Sequence, residues 1–379
     1  MTYAKPAKRR QSVLRLIISA AVVLSACSSE EGEKGEITVD AAPSSPLVTL
    51  VANQASNNIS AFMINATTGA LVPVAGSPYP AGGTTPGGIA VSSDGSLAYV
   101  ANQGSNNISA FTVEPSAGTL IAVPGSPFST GTTPSRVAIS PNRSFVFISN
   151  QGSNNISAFG VTATGSLTPV AGSPFPAGFT PSGITCTPNG AFLYVANQGS
   201  NTVSAFTINV SGQLAAVAGS PFAVGTTPVG VLVSPNGSVL YVSNQGSNYV
   251  SALAIDASTG ALTPVAGSPF ATGITPAGIT ISPNGSFLYV ANQSTNNISA
   301  FAVGGTGALT PVGPPVPAGT TPTSVTVSPD GVFLYAANQG SNDVFAYTID
   351  GASGTLATVS GSPFSVGVTP RAIATAGRP

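Results

Sequence analysis

The sequence predicts an all-β protein, a seven-bladed β-propeller of four-stranded blades. A near copy of the stretch LYVANQGSN recurs seven times in the 379 residues, and its Asn-Gln pair begins at Asn53, Asn102, Asn150, Asn197, Asn244, Asn292 and Asn338. Successive copies are 46 to 49 residues apart, a period typical of repeat architectures. Each repeat holds four short segments rich in Val, Ile, Ala, Thr and Phe, and no window has the apolar period of a helix. Four strands in seven copies match a radial propeller.

Residues 1–26 predict a lipoprotein signal peptide. A segment with five Lys and Arg residues precedes the apolar run LIISAAVVLSA, which is too short to span a bilayer. The run leads into LSAC, which resembles the bacterial lipobox, where a peptidase cleaves before the cysteine and the cysteine becomes lipid-modified. We therefore expect an extracytoplasmic protein anchored to a membrane by acyl chains on Cys27. Ser28 favours the outer membrane or the cell surface; the alternative is an ordinary signal peptide beside a cysteine.

Residues 27–46 predict a flexible tether, because they carry five acids, one lysine and no large apolar cluster. The domain that follows, residues 47–379, has four arginines and no lysine, so we expect no nucleic-acid partner. The chain contains no histidine, which excludes His-based acid–base catalysis, triads and metal sites. Paired carboxylates and calcium-loop spacing are also missing, so we expect no metal and no cofactor.

Turn signals divide each repeat into a meander of four strands. In the fourth repeat the strands read SGITCT, AFLYVAN, TVSAFTI and QLAAVAG. SPNG-type sequences between the first two strands suit a type I turn, with Pro in the second position and Gly in the fourth. GSNN joins the second strand to the third, and STG or ATG joins the third to the fourth. A link of the form GSPFxxGTTP then crosses to the next blade.

The two ends of the domain complement each other. The first repeat opens directly on PLVTLVAN, which is already a second strand, so blade 1 lacks its innermost strand. The chain ends on TPRAIATAG, residues 369–377, which matches the missing strand. We therefore expect the C-terminal strand to complete blade 1 and to remove the open edge of a linear array. The alternative is an open β-solenoid.

The repeat motifs LYVANQGSNNISAF, TGALTPVAGSPF and TPxGIxISPNGSFLYV resemble the YVTN-type repeats of the bacterial lactonase-like seven-bladed propellers. That superfamily includes 6-phosphogluconolactonase and a muconate-cyclising enzyme, and the resemblance covers residues 47–379. It implies a propeller whose channel mouth carries His, Arg and Glu side chains that act on a lactone or its precursor. In this chain only Arg136 and Arg371 match such roles by location.

Chain direction places all seven NQGSN loops, here called the tags, and all seven GTTP linkers on one face of the ring, here called the upper face. This face surrounds the mouth of the central channel, where we expect a ligand site. Asn197, Gln198, Asn244 and Gln245 exemplify a hydrogen-bonding ring there, and Asp343 adds a carboxylate after the seventh tag. The alternative is that each tag is a turn whose Asn and Ser side chains bond to nearby backbone.

Two arginines interrupt the repeat pattern just after the linker proline. The second position after that proline is small in six repeats and is Arg136 in the third, while Arg371 occupies the first position near the C-terminus. Both should lie near the channel mouth, on blades 3 and 1, where two guanidinium groups would bind a carboxylate or phosphate. Alternatively, each is a solvated rim residue or pairs with a backbone carbonyl.

The resulting prediction of function is a lipid-anchored binding module whose upper face takes a glycan, a protein or a small anion. The alternative is an enzyme of the lactonase type that hydrolyses a sugar lactone, and a third possibility is a structural protein of the cell envelope. The lack of histidine favours binding over catalysis, and no catalytic residue is assigned.

Overall fold

The computed structural model describes residues 1–2 and 47–377. Apart from its first two residues, the predicted signal peptide lies outside the described residues, as do Cys27 and the tether, so these assignments stay predictions. Within the described part, no helix has the length and hydrophobicity that a membrane crossing requires.

Residues 47–377 form seven antiparallel sheets, the blades of a propeller, which confirms the predicted fold. The innermost strands of blades 1 to 7 are Pro370–Ala376, Pro86–Val91, Pro134–Ile139, Pro181–Cys186, Pro228–Val233, Pro276–Ile281 and Pro322–Val327. The second strands are Leu47–Asn53, Leu97–Asn102, Phe145–Asn150, Phe192–Asn197, Val239–Asn244, Phe287–Asn292 and Phe333–Asn338. The third strands are Asn58–Ile64, Asn107–Val113, Asn155–Val161, Thr202–Ile208, Tyr249–Ile255, Asn297–Val303 and Asp343–Ile349.

The outermost strand of each blade is split into two short segments, which differs from the continuous fourth strand that we predicted. The first segments are Leu71–Pro73, Leu120–Ala122, Leu167–Pro169, Leu214–Ala216, Leu262–Pro264, Leu309–Pro311 and Leu356–Thr358. The second segments are Tyr79–Pro80, Phe128–Ser129, Phe175–Pro176, Phe222–Ala223, Phe270–Ala271, Val316–Pro317 and Phe364–Ser365. Both pair with the third strand. Between the two segments, a serine hydroxyl takes the place of a backbone carbonyl as the hydrogen-bond acceptor for the third strand. In blade 4, Ser220 Oγ accepts the amide hydrogen of Ala205 at 2.9 Å.

The second strands are buried on both faces because each lies between two neighbouring blades. In blade 4, Leu193 and Val195 pack against residues of blade 3, and Tyr194 packs against residues of blade 5. Alternate side chains of a strand point to opposite faces, so a strand that is covered on both faces needs an almost continuous apolar run. The repeated LYVA sequence meets this need, and the hydrophobic core consists of clusters at the blade junctions.

The ring closes as predicted. The C-terminal strand Pro370–Ala376 pairs antiparallel with Leu47–Asn53, with Leu50 opposite Ala374. The innermost strand of every blade contacts those of its two neighbours, including the pair formed by blades 7 and 1. Blade 1 therefore consists of both ends of the domain, and the ring has no open sheet edge at its seam.

Candidate functional site at the channel mouth

The tags and the linkers pair with each other through their backbones on the upper face. In blade 4, the amide of Gln198 donates to the carbonyl of Thr180 at 3.0 Å, and that of Gly199 donates to the carbonyl of Phe179 at 3.0 Å. Both groups of loops thus lie on the same face, around the innermost strands. This pairing also fixes the direction in which each tag side chain points.

The first asparagine of the tag is buried beneath the upper face. Asn197 and Asn244 are fully buried, and each amide nitrogen donates within its own blade, for example from Asn197 Nδ2 to Ser204 Oγ at 2.9 Å. The carboxamide oxygen of Asn197 accepts the amide hydrogen of Gly178 in the linker at 3.1 Å. Neither asparagine lines the cavity described below, so both lie in the wall beneath the loops.

The serine and the last asparagine of the tag hold two successive linkers. Ser200 Oγ accepts the amide hydrogen of Phe179 in the linker of its own blade at 2.8 Å. Asn201 Oδ1 accepts that of Thr227 in the linker to the next blade, also at 2.8 Å. Asn201 and Thr227 both have left-handed backbones, with φ of 58° and 53°, a conformation that is rare for a β-branched residue. Most of the tag is therefore a clamp between blades.

The glutamine is the tag side chain that reaches the channel mouth. Gln151, Gln198, Gln245 and Gln293 line a single cavity there. Gln245 Nε2 donates to Gln293 Oε1 at 2.7 Å, which ties two neighbouring blades together. The side-chain amides of Gln151 and Gln198 make no hydrogen bond to another described residue, so they are available to a ligand.

The cavity has a volume of about 180 Å3 and is lined by six of the blades. Arg136 and Arg371 belong to its lining, together with the four glutamines and the polar residues Ser182, Thr323 and Ser324. One step further along the innermost strands, the lining becomes apolar and consists of Val137, Ile184, Val231, Ile279 and Val325. The cavity is thus a cup with a cationic and amide-rich wall and an apolar floor.

Arg136 is held in place by backbone carbonyls. Its guanidinium donates to the carbonyl of Gly87 in blade 2 and, at 3.3 Å, to that of Ser135. Burial, together with the positive charge of Arg371, lowers the pKa of Arg136 to about 9. The two guanidinium groups are therefore close enough to repel each other, although Arg136 is still charged at neutral pH.

Arg371 is the less satisfied of the two arginines. Its Nε is buried without a hydrogen-bond partner, and burial lowers its pKa. Among the described residues the one ion pair joins Arg143 to Asp94, at the SPNG-type turns on the opposite, lower face. Two like charges in one cavity, with no carboxylate among the described lining residues, raise the free energy of the empty site, and an anion between them lowers it.

A glycine in blade 2 lies against the backbone of the strand that carries Arg136. A Cβ atom on Gly88 would lie 2.4 Å from the carbonyl oxygen of Ser135 and 2.9 Å from Cα of Arg136. Any side chain at Gly88 would therefore push away the strand that carries Arg136. Gly88 therefore allows the innermost strands of blades 2 and 3 to pack closely, and the carbonyl of Gly87 receives the Arg136 guanidinium.

The remaining reactive side chains lie outside the cavity lining. The carboxylate of Asp343 accepts hydrogens from Asn338 Nδ2 at 2.7 Å and from Ser341 Oγ at 3.0 Å, so it takes the place of an asparagine within its tag. Cys186 packs into the junction of blades 3 and 4, and burial raises the pKa of its thiol to about 12. In the described part of the chain no group of three or more His, Cys, Asp or Glu side chains is placed to hold a metal ion.

The structure thus brings together Arg136, Arg371, Gln198 and Gln245, and it places Asn197, Asn244 and Asp343 elsewhere. Sequence reasoning did not single out Gln151 and Gln293, which line the same cavity. The signal for them was present, because they occupy the same repeat position as Gln198 and Gln245. The apolar floor was also missed, since a β-branched residue on an innermost strand gives no sign of whether it faces the channel.

Comparison with solved structures finds the same fold in proteins with low sequence identity. A candidate 6-phosphogluconolactonase of Bacteroides uniformis has 23% identity and a TM-score of 0.76, covering 87% of this chain and 99% of its own. A second one, from Bacteroides fragilis, has 22% identity and a TM-score of 0.77, with coverages of 90% and 99%. The periplasmic gluconolactonase of Pseudomonas aeruginosa has 21% identity and a TM-score of 0.74, with coverages of 88% and 100%.

No curated protein matches the sequence significantly. The family model described as "Lactonase, 7-bladed beta-propeller" matches residues 72–178, 171–272 and 264–369. These matches follow one another across almost the whole ring. The chain therefore belongs to the Lactonase family of seven-bladed β-propellers.

Proposed function

We propose that the protein hydrolyses a lactone at the mouth of its channel, with sugar lactones as the substrate class. The observation that carries the proposal is that Arg136 and Arg371 share one cavity, and that its lining contains no carboxylate among the described residues. Membership of the lactonase family supports this reaction over the binding module that the sequence predicts. The fold shared with the Pseudomonas gluconolactonase agrees with it.

In this reaction, water adds to the carbonyl carbon of the lactone and the bond from that carbon to the ring oxygen breaks. One proton of the water passes to the ring oxygen, which becomes a hydroxyl group, and the new carboxylic acid releases its proton to solvent. Negative charge develops on the carbonyl oxygen before the ring opens. Guanidinium groups facing that oxygen stabilise the charge, and Arg136 and Arg371 then hold the carboxylate of the product.

The cavity offers electrostatic stabilisation and no base. The lining residues in the described part of the chain include no Asp, Glu or Cys side chain to take a proton from water, so we take the attacking water or hydroxide from solvent. Hydrolases that have lost their nucleophile and base still accelerate reactions by about 10³–10⁴ through an oxyanion site and binding, and one donor contributes about 10²–10³. We therefore expect an acceleration of about 10²–10⁴ over spontaneous hydrolysis.

The free amides of Gln151 and Gln198 supply contacts for the rest of the substrate. A carboxamide both donates and accepts hydrogen bonds, as does a sugar hydroxyl group. Both glutamines line the same cavity as Arg136, so a ring that presents its carbonyl to the arginine brings its hydroxyl groups to the amides. This combination suits a sugar lactone better than a simple anion such as phosphate.

A second candidate function is binding of the ring-opened sugar acid without turnover. The absence of a proton acceptor from the lining favours it, because the same arginines and amides would hold the acid. In either case we propose that the protein works outside the cytoplasm and that its membrane anchor is the acylated Cys27.

Hydrolysis of a panel of aldonolactones, followed by base consumption at constant pH, tests the proposal. We expect at least one lactone to open about 10²–10⁴ times faster with the protein than without it. Binding of the corresponding aldonate with no acceleration of any lactone would favour the second candidate.

A further inference from the structure

The upper-face linkers carry an exposed residue just before their left-handed threonine, and this position differs among the blades. Four blades have threonine there: Thr84, Thr132, Thr226 and Thr320. The other three have apolar residues, which we call the apolar rim: Phe179, Ile274 and Val368, with exposed fractions of 68%, 53% and 53%. Three blades thus carry an apolar residue at a repeat position where the other four carry threonine, and this position lies on the upper face.

The apolar rim does nothing for the fold that threonine does not do. Phe179 uses its backbone, donating to Ser200 Oγ and accepting from the amide of Gly199. Thr226 makes the same two contacts, with Ser247 and Gly246. Because the side chains are exposed, their hydrophobicity adds little to folding, and they are accessible to a ligand.

Each member of the apolar rim lies on the upper face and is close in sequence to a residue that lines the cavity. Phe179, Ile274 and Val368 lie three residues before Ser182, Ala277 and Arg371 respectively, and all three of those residues line the cavity. Phe179 and Ile274 also pair with the residue next to a lining glutamine, through the contacts Gly199 N to Phe179 O and Ser294 N to Ile274 O.

We propose that the ligand of the channel mouth is an amphiphile, namely a lactone, or its ring-opened hydroxy acid, that bears an alkyl, acyl or aryl substituent. The carboxylate lies between Arg136 and Arg371, and the apolar substituent packs on the apolar rim. The lactone part of this assignment rests on the proposed hydrolysis, whereas the binding of an apolar hydroxy acid does not. Cationic groups and exposed apolar side chains on the same face of a protein suit this combination of chemistries.

Calorimetric titration with 4-hydroxybutanoate, 4-hydroxyoctanoate and 4-hydroxydecanoate tests the proposal. A fully buried methylene group strengthens binding about fourfold, so we expect the dissociation constant to fall by about tenfold or more from the four-carbon to the eight-carbon acid on a partly open rim. The triple variant Phe179→Thr, Ile274→Thr, Val368→Thr should lose this gain and keep the wild-type affinity for 4-hydroxybutanoate. Threonine occupies the same position in four other blades, so this variant is expected to fold.

Val210→Thr is the matched control, because Val210 is 99% exposed in the turn between the third and outermost strands of blade 4, away from the upper face. It should keep the dependence on chain length. A dissociation constant that does not change with chain length overturns the proposal, as does a gain that survives in the triple variant. Rates of hydrolysis of the matching γ-lactones separate this proposal from the proposed hydrolysis. Binding that depends on chain length without hydrolysis refutes only the proposed hydrolysis. Hydrolysis without any dependence on chain length refutes only the proposed amphiphilic ligand.

Discussion

The hydroxyl group of Tyr335 in blade 7 donates a hydrogen bond of 2.8 Å to the carbonyl of Gly69 in blade 1. The two residues are 266 positions apart, and their contact crosses the seam where the ends of the domain meet. The same contact joins blades within the chain, for example Tyr194 to Gly260 at 2.9 Å. Blades 1 and 3 lack it, because Leu50 and Phe147 replace the tyrosine. The seam is therefore built like an ordinary blade junction.

Removing this contact should weaken the ring. Tyr335→Phe leaves the Gly69 carbonyl buried without its partner, which costs about 1–3 kcal/mol in the free energy of unfolding. Tyr79→Phe is the control, since Tyr79 donates to Ala75 within one exposed turn, and its loss should cost less than about 1 kcal/mol. Urea denaturation measures both. Equal stability of the two variants would show that the seam hydrogen bond contributes nothing specific.

The clamp formed by the tag predicts a difference between two substitutions of Asn201. Asn201→Gly removes the acceptor for the amide of Thr227 but allows the left-handed backbone, so we expect a loss of about 0.5–1.5 kcal/mol. Asn201→Ala removes the same acceptor and adds the steric cost of φ near 58°, about 1 kcal/mol more. Thermal and urea unfolding measure the order wild type, glycine, alanine. Alanine as stable as glycine would contradict the backbone argument.

The fold and the position of Arg136 and Arg371 could be predicted from the sequence. A strand buried on both faces needs a continuous apolar run, and the repeat period and the complementary ends then force a closed ring, which places Arg136 and Arg371 at the channel mouth. The direction of each tag side chain could not be predicted, because it depends on left-handed backbones and on contacts with the next blade. Hence Asn197 and Gln198, neighbours in sequence, lie in the wall and in the cavity.

Arg136 and Arg371 should lower the free energy of unfolding, as residues retained for binding rather than for stability often do. Arg136→Ser installs the kind of small residue found at this position in the other blades and removes the repulsion with Arg371, so we expect a gain of about 1 kcal/mol or more in the free energy of unfolding. The same variant should lose the rise in melting temperature that phosphate or an aldonate gives the wild type. A variant that is less stable and still responds to the anion would argue for a structural role.

The affinity for anions should depend on pH through Arg136. Burial and the charge of Arg371 lower the pKa of Arg136 to about 9, so the guanidinium is charged below that pH and loses its proton as the pH rises through it. Aldonate affinity should therefore be constant between about pH 6 and about pH 8, where Arg136 keeps its charge, and should weaken by up to about tenfold per pH unit above about 9. Titration calorimetry at several pH values measures this. Undiminished affinity at about pH 10.5 would exclude deprotonation of Arg136.

The most direct test compares lactone hydrolysis by Arg136→Gln, Arg371→Gln and Arg143→Gly with that by the wild type. Arg143 is the matched control, because it is an exposed arginine paired with Asp94 on the lower face. If the cavity arginines stabilise the developing oxyanion, each glutamine variant loses about 10²-fold in kcat/KM and Arg143→Gly keeps the wild-type value. Equal kcat/KM values for all four proteins, or no hydrolysis above background by the wild type, would contradict the assignment of the channel mouth as a lactonase site.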